Sequence, residues 1–206
     1  MEEKIYGLLG RKLGHSWSVP IHKALGCGSY RLIELEPNEL EGFLAQENIG
    51  GLNVTIPYKR DVMPFCDVID QGARDIGSVN TLVRKADGKL YGYNTDIYGF
   101  QYMAHRAGIS FDRKKVMVLG SGGASLTVQA AARLEGAREV VVVSRTGADN
   151  YGNLERHEDT EILVNATPVG MWPDLGSQPV DLKRLPNLEA VMDLIYNPPR
   201  TDLLLQ

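Results

Sequence analysis

The residues with the clearest chemical use lie in the second half of the chain. Gly120-Ser121-Gly122-Gly123-Ala124-Ser125 follows the apolar run Val116-Met-Val-Leu119 and opens an alanine-rich helical pattern over residues 125–133. A strand, a tight glycine turn and a helix let backbone N–H groups approach a pyrophosphate at the positive end of a helix. The spacing is Gly120-x-Gly122-x-x-Ser125, so a serine stands where the usual fingerprint has its third glycine. The plain alternative is a strand-to-helix turn with no ligand. A second apolar run, Val140-Val-Val-Val143, ends in Ser144-Arg145-Thr146. A site for NAD carries Asp or Glu at this tip to accept from the ribose 2′-hydroxyl, whereas an NADP site uses an arginine near the 2′-phosphate. No acid is present at this tip. Arg145 offers a planar fork of donors, and Ser144 and Thr146 can add hydroxyls. The reading is therefore NADP rather than NAD, set against the common case of a solvated arginine at a strand end.

The first half holds a second group of polar residues: Ser16, Ser18, Asn53, Thr55, Lys59, Asn80 and Asp96. Each falls where a strand or helix is expected to end, which is where α/β proteins keep their sites. Each also has a structural explanation. Ser18 and Asp96 suit helix N-caps, Thr55 suits a strand, and Lys59 suits a surface. Residue chemistry alone supports a nucleotide-dependent enzyme with a polar small-molecule site.

The elements that must position these residues read as α/β throughout. Residues 5–10 form a buried first strand, and a polar turn leads through Ser18 and Pro20 into a short helix. Residues 30–35 form a second strand, and Pro37 to Gln46 a helix. Residues 51–57 form a third strand, stopping at Pro57. Polar helical turns are expected from there to about Gly77. Residues 81–84 and 89–93 flank Asp87-Gly88, a hairpin signal. A helix runs from Ile97 to about Ala107 and ends at Gly108. Beyond Arg145, strands are expected at 161–165 and 190–194. The polar stretch from Gly147 to His157 occupies the place of a crossover helix without a helical pattern, so the crossover reads as shortened. The expected domains are residues 1–95, for substrate and catalysis, and 96–206, an NADP-binding domain entered through a linker helix.

Length and composition limit the alternatives. The 206 residues suit one or two domains. Hydrophobic content of 43% and charged content of 23% are those of an ordinary globular protein. A net charge of −4 without a basic run speaks against a nucleic-acid partner. No apolar run approaches the ~18 residues of a membrane span, and Met1-Glu-Glu-Lys does not resemble a signal peptide. Cys27 and Cys66 have no metal-ligand spacing and read as reduced thiols. The expected setting is cytoplasmic, with no metal.

Taken in order, the motifs resemble those of the shikimate dehydrogenase family. They are His15-Ser16-Trp17-Ser18-Val-Pro20, Asn53-Val-Thr55-Ile-Pro57-Tyr58-Lys59, Val79-Asn80-Thr81-Leu82 and Asn94-Thr95-Asp96-Ile-Tyr-Gly99. The second half continues with the Gly120–Ser125 turn, Ser144-Arg145-Thr146, Asn165-Ala-Thr167-Pro-Val-Gly170-Met171 and Asp193-Leu194-Ile-Tyr196-Asn-Pro198. The resemblance covers nearly the whole chain. It implies an N-terminal α/β substrate domain followed by a Rossmann-like, doubly wound NADP-binding domain. It also implies the NADP-dependent interconversion of 3-dehydroshikimate and shikimate, a step toward chorismate and the aromatic amino acids. On this resemblance Ser16 and Ser18 hold the substrate carboxylate, Thr55, Asn80 and Asp96 hold ring hydroxyls, and Tyr196 adds a contact. Lys59 matches the catalytic lysine, acting with Asp96. Gly120, Ser121, Gly122, Gly123 and Ala124 take the pyrophosphate. Ser144, Arg145 and Thr146 match the 2′-phosphate clamp, and Thr167 and Leu194 lie near the cofactor, Leu194 through its backbone.

The chemistry implied is that of a secondary alcohol losing a hydroxyl proton as hydride leaves carbon, which calls for a positioned acid–base group. Two serines at the carboxylate position favour shikimate over quinate, with dual specificity as a close variant. The chain stops at Thr201-Asp-Leu-Leu-Leu-Gln206, where members of the family continue. The expectation is a C-terminally incomplete nucleotide domain, with four predicted strands against about six in the full doubly wound sheet. A strand edge and apolar helix faces would then be uncovered, in a monomer or homodimer. A chain of this kind that binds nucleotide or a shikimate-like ligand without turnover is the rival reading.

Overall fold

The structure is a computed structural model that describes residues 3–14 and 16–206; His15 of the first motif lies outside the described residues. The chain divides into two compact units, Met1–Thr95 and Asp96–Gln206. Both have the expected α/β character.

In the first unit, β1 (Ile5–Gly10), β2 (Tyr30–Glu34) and β3 (Ile49–Val54) run parallel, followed by β4 (Val68–Ile69) and the hairpin β5 (Thr81–Arg84) and β6 (Leu90–Tyr93). The sheet order is β2-β1-β3-β5-β6-β4, with β5 antiparallel to both β3 and β6. Leu9, Ile49, Leu52 and Leu82 pack one side of this sheet against α2 (Leu40–Leu44) and the turn carrying Tyr58 and Val62. Full burial of a leucine or isoleucine contributes roughly 1.5–3 kcal/mol. The other side carries Leu8, Tyr30 and Leu13 beneath α1 (Ser18–Ala24). Asp70 caps α3 (Gln71–Ile76) by accepting from the Gly72 N–H, and Gly77 ends it in the left-handed region at φ 68°.

Three expectations are corrected here. Ser18 is not the cap of α1 but its first helical residue, and Ser16 Oγ accepts from the Ser18 N–H at 3.1 Å. The helix expected over Pro37–Gln46 is a 3₁₀ turn, Pro37–Glu39, followed by the five residues of α2. Glu36 and Glu39 form a capping box around the turn, which satisfies the entry locally without a longer helix. Strand β4 replaces part of the polar helical segment. Two residues are too few to show any periodicity, and their pairing with β6 is made across the chain.

The second unit begins with α4 (Asp96–Arg106) and has a four-stranded parallel sheet in the order β10-β9-β7-β8. Its strands are β7 (Lys115–Leu119), β8 (Glu139–Val143), β9 (Ile162–Asn165) and β10 (Ala190–Asp193). Every residue of β7 and β9 is buried, as strands flanked on both sides must be. Between β7 and β8 lies α5 (Gly123–Leu134), packed with α4 through Phe100, Ala104, Val128 and Ala131. The β8–β9 connection contains a 3₁₀ turn, Leu154–His157, in place of a crossover helix, and Leu154 is inserted into the core beside Leu119 and Leu163. The short helix α6 (Asp202–Leu205) seats Leu203 in the same cluster.

The amino ends of the strands in this unit carry a charge network. Lys115, only 5% exposed, places Nζ 2.7 Å from Asp159 and 3.3 Å from Glu139. Burial alone would lower its pKa, but these carboxylates outweigh that and hold it raised. Glu161 accepts from the Lys115 N–H and pairs with Lys114 and Arg138. The Lys115 backbone bond, opposed by burial and helped by Lys114 and Arg138, holds Glu161 below its ordinary 4.5. The Lys115 ammonium does the same for Asp159, below its ordinary 3.8. Depressed carboxylates contribute stability that is present above the unfolded pKa and lost as pH falls through the folded one. The melting temperature should therefore drop as pH is lowered from about 5 toward 3, and Glu161→Gln should flatten part of that slope. An unchanged slope by calorimetry would remove Glu161 from the acid response.

Candidate active site

The polar residues of the first unit are gathered at one end of its sheet by ladder bonds. β1 and β3 end beside the start of β5 and the end of β6, because Asn53 pairs with Thr81 and Thr81 with Tyr93. Thr55 N–H donates to Leu9 O at 2.9 Å, Val54 N–H to Asn80 O at 2.7 Å, and Asn80 N–H to Tyr93 O at 2.9 Å. Asn80 is 6% exposed, and its Oδ1 accepts from the Thr95 N–H at 2.9 Å and from Thr81 Oγ1 at 3.0 Å. Its Nδ2 donates to Thr95 Oγ1 at 3.1 Å. These bonds fix the chain up to the residue before Asp96, the first residue of α4.

Lys59 is delivered by the turn after Thr55. Tyr58 N–H bonds Thr55 O, and the Tyr58 ring is buried with its hydroxyl donating to Leu35 O. Val79 N–H donates to Lys59 O at 2.8 Å, which sets the backbone of Lys59 against the residue preceding Asn80. The half-buried Lys59 thus comes from a turn pinned on both sides. Ser16 and Ser18 stand at the start of α1. His22 Nδ1 lies 2.8 Å from Ser18 O, and the His22 ring stacks on Tyr30 at 3.7 Å. Tyr30 donates its hydroxyl to Asn53 Oδ1 at 2.7 Å. Burial pushes the Tyr30 phenol up to about 12, against the opposing pull of the Ser18 hydroxyl beside it. Tyr30 therefore stays a neutral donor at any working pH.

In the second unit, the turn after β7 lies at the switch point between β7 and β9, from which the chain runs to β8 on one side and to β10 on the other, the position at which open α/β sheets bind ligands. Gly120 N–H donates to Val143 O, and Gly120 has φ 103°. A Cβ there would lie 3.0 Å from Ala166 O and 3.1 Å from Thr167 Cγ2. Gly122, the N-cap of α5, makes no side-chain cap and has no atom within 4 Å of an added Cβ. An uncapped, open helix N-terminus on a glycine turn fits an anionic diphosphate. Ser125, where a third glycine is usual, is fully buried and accepts from Gln129 Nε2, so a small residue meets the helix–sheet packing demand there. At the end of β8, Ser144 is half-buried while Arg145 and Thr146 are exposed. Thr167 N–H and Oγ1 both donate to Asn165 Oδ1, and Leu194 N–H donates to Asn165 O. Tyr196 lies beyond β10 and is 63% exposed.

Residues 8–82 match the shikimate dehydrogenase substrate-binding domain. The NADP(+)-dependent shikimate dehydrogenase of Clostridium perfringens is 37% identical over 98% of this chain and 82% of its own length. The chain belongs to the shikimate dehydrogenase family. Two solved structures agree. A chorismate mutase/shikimate 5-dehydrogenase fusion protein from Clostridium acetobutylicum is 35% identical, with TM-score 0.90 over 99% of this chain and 81% of that one. Shikimate 5-dehydrogenase from Thermus thermophilus, in complex with NADP(H) and shikimate, is 31% identical, with TM-score 0.81 over 98% of this chain and 82% of that one.

In this shikimate dehydrogenase family member, the first unit brings Thr55, Asn80 and the Lys59 backbone to one sheet end, and Ser16 and Ser18 to one another. The second unit brings the Gly120–Ala124 turn against Thr167. Asp96 and Tyr196 belong to the second unit. Sequence reasoning gives no role to Asn165 and Asp193. Asp193 Oδ1 accepts from Asn165 Nδ2 and the Ile195 N–H, and its Oδ2 accepts from Thr201 Oγ1 at 2.6 Å. The pair thereby fixes the backbone after β9 and β10. Its one signal in the sequence is a polar residue closing each of two apolar strands.

Proposed function

We propose that this chain interconverts shikimate and 3-dehydroshikimate with NADP, using Lys59 as the general acid–base group. The observation that carries the reading is the anchoring of the Lys59 backbone to Val79, beside an Asn80 whose amide is organised by Thr81 and Thr95. A lysine placed by a pinned turn next to a fixed carboxamide suits the removal of a proton from one ring hydroxyl while others are held. Ser16 and Ser18 supply hydroxyl donors for the substrate carboxylate, and Thr55 and Asn80 bind ring hydroxyls. The family resemblance gives Asp96 a share in the proton exchange and Tyr196 a substrate contact.

The residues of the second unit fit a dinucleotide with a 2′-phosphate. Gly120, Ser121, Gly122, Gly123 and Ala124 at the α5 N-terminus would hold its diphosphate. Ser144, Arg145 and Thr146 would hold the 2′-phosphate, and Thr167 and the Leu194 backbone would lie beside it. Bound NADP would supply the hydride acceptor and donor. In the oxidising direction Lys59 Nζ takes the hydroxyl proton as the carbon loses hydride; in reduction it returns that proton to the forming alcohol.

The test is NADPH formation by this chain with shikimate, and in parallel with quinate. Turnover with shikimate well above that with quinate is expected. Thermal stabilisation by both ligands without any rate would instead select the non-catalytic binder.

A further inference from the structure

The loop after β8 that carries Ser144, Arg145 and Thr146 also carries a carboxylate, Asp149. Ser144 N–H donates to Asp149 O at 3.1 Å, closing residues 144–149 into a compact loop around Arg145 and Thr146. Asn153 Nδ2 bonds Ala148 O at 2.9 Å, and Asn150 accepts from the Gly152 N–H at 2.9 Å. Gly147 suits this closure, since a Cβ there would lie 2.7 Å from Ser144 Oγ and 3.0 Å from Asp149 O. Asp149 is thus built into the loop that carries Ser144, Arg145 and Thr146.

A 2′-phosphate carries roughly −1.5 to −2 charges near neutrality, so an uncompensated carboxylate in this loop would oppose it. The structure gives the Asp149 carboxylate a close neighbour outside the loop. His157, on the 3₁₀ turn that replaces the crossover helix, places Nε2 2.9 Å from Asp149 Oδ1, with side-chain exposures of 12% and 33%. Neither ring nitrogen makes a hydrogen bond of good alignment. The contact is close but off-line. Thr160 N–H and Oγ1 both bond to His157 O, which holds the turn's end against β9.

We infer that His157 is a positioning residue for cofactor choice: it holds the Asp149 carboxylate against its own ring, so that Ser144, Arg145 and Thr146 can accept a 2′-phosphate. The inference rests on the NADP reading. In it, the shortened β8–β9 connection has a chemical role beyond linking two strands.

The test uses calorimetric binding of adenosine 2′,5′-bisphosphate and of 5′-AMP, which differ only in the 2′-phosphate. For the unaltered chain, the bisphosphate should bind more tightly. Equal binding would overturn the NADP reading itself, before any variant is made. His157→Phe should weaken the bisphosphate about five- to tenfold and leave 5′-AMP within about twofold. Adding Asp149→Asn in that background should restore the bisphosphate affinity. The single variant Asp149→Asn keeps the backbone bond to Ser144 and the buried ring, and should bind the bisphosphate at least as well as the parent. Equal weakening of both nucleotides by His157→Phe, without rescue by Asp149→Asn, would make the pair a loop strut and overturn the inference. So would a His157→Phe protein that binds both nucleotides as the parent does.

Discussion

Lys59→Ala is expected to lower kcat by about 10²–10⁴ while leaving the KM for shikimate within a fewfold, the scale on which a positioned proton-transfer group acts. The split follows from how the residue is held. Its carbonyl is bonded by the Val79 N–H, and the turn is fastened by the buried Tyr58, so truncation removes the amino group without releasing the backbone. Thr55 and Asn80 keep their own bonds to Leu9, Thr81 and Thr95. Steady-state rates with saturating NADP would measure both constants. Unchanged turnover would take Lys59 out of the mechanism, and a large rise in KM at constant kcat would make it a binding residue.

Gly120→Val is the second substitution with a large expected effect, of a different kind. At φ 103° any side chain is strained, by about 1–2 kcal/mol on the scale of the left-handed region. The added Cβ would also press on the Ala166 carbonyl at 3.0 Å. Relief requires the turn to move away from the α5 N-terminus. Affinity for NADP and for NAD should fall together by about tenfold or more, since the diphosphate is common to both. A shift of about 2–4 °C in melting temperature per kcal/mol is expected for a chain of this size. Loss of NADP binding alone would place Gly120 nearer the 2′-phosphate than the diphosphate.

The parts of the fold that are legible in the sequence are those whose signal is local. The β7–α5–β8 unit announces itself by an apolar run, a glycine turn and a helical period, all within residues 115–143. The β5–β6 hairpin is equally local: Asp87 Oδ1 accepts from the Lys89 N–H, and Gly88 takes φ 79°. Strand β4 is not legible, because two residues carry no pattern and its partner lies on the returning hairpin. The 3₁₀ turn at Pro37–Glu39 reads as helix because propensity does not distinguish one turn from three.

The candidate site divides in the same way. Residue type and place suggest Arg145 and the glycine turn, and the family resemblance singles out Lys59. What holds them is not visible there, since Tyr58 reaches Leu35, Asn165 reaches Asp193, and His157 reaches Asp149 across intervals that no short motif spans. Ser18 shows the limit most simply. Its type and position both suit a cap, and the bond that exists runs the other way, from its own N–H to Ser16.

The sheet order has a consequence for self-association. The outer strand β4 of the first sheet has two residues, too short to template another chain along that side. The second sheet ends instead in β8, whose five residues Glu139-Val-Val-Val-Val143 are nearly all β-branched, with a single charge at the first position. Such a segment has the composition of a cross-β seed. The Ser144 N–H bond to Asp149 O and the Asn-rich turns beyond it fold the following chain back at the strand's end. The loop assigned to nucleotide choice thus also sets the length of that border, because β8 ends where the loop turns back on itself.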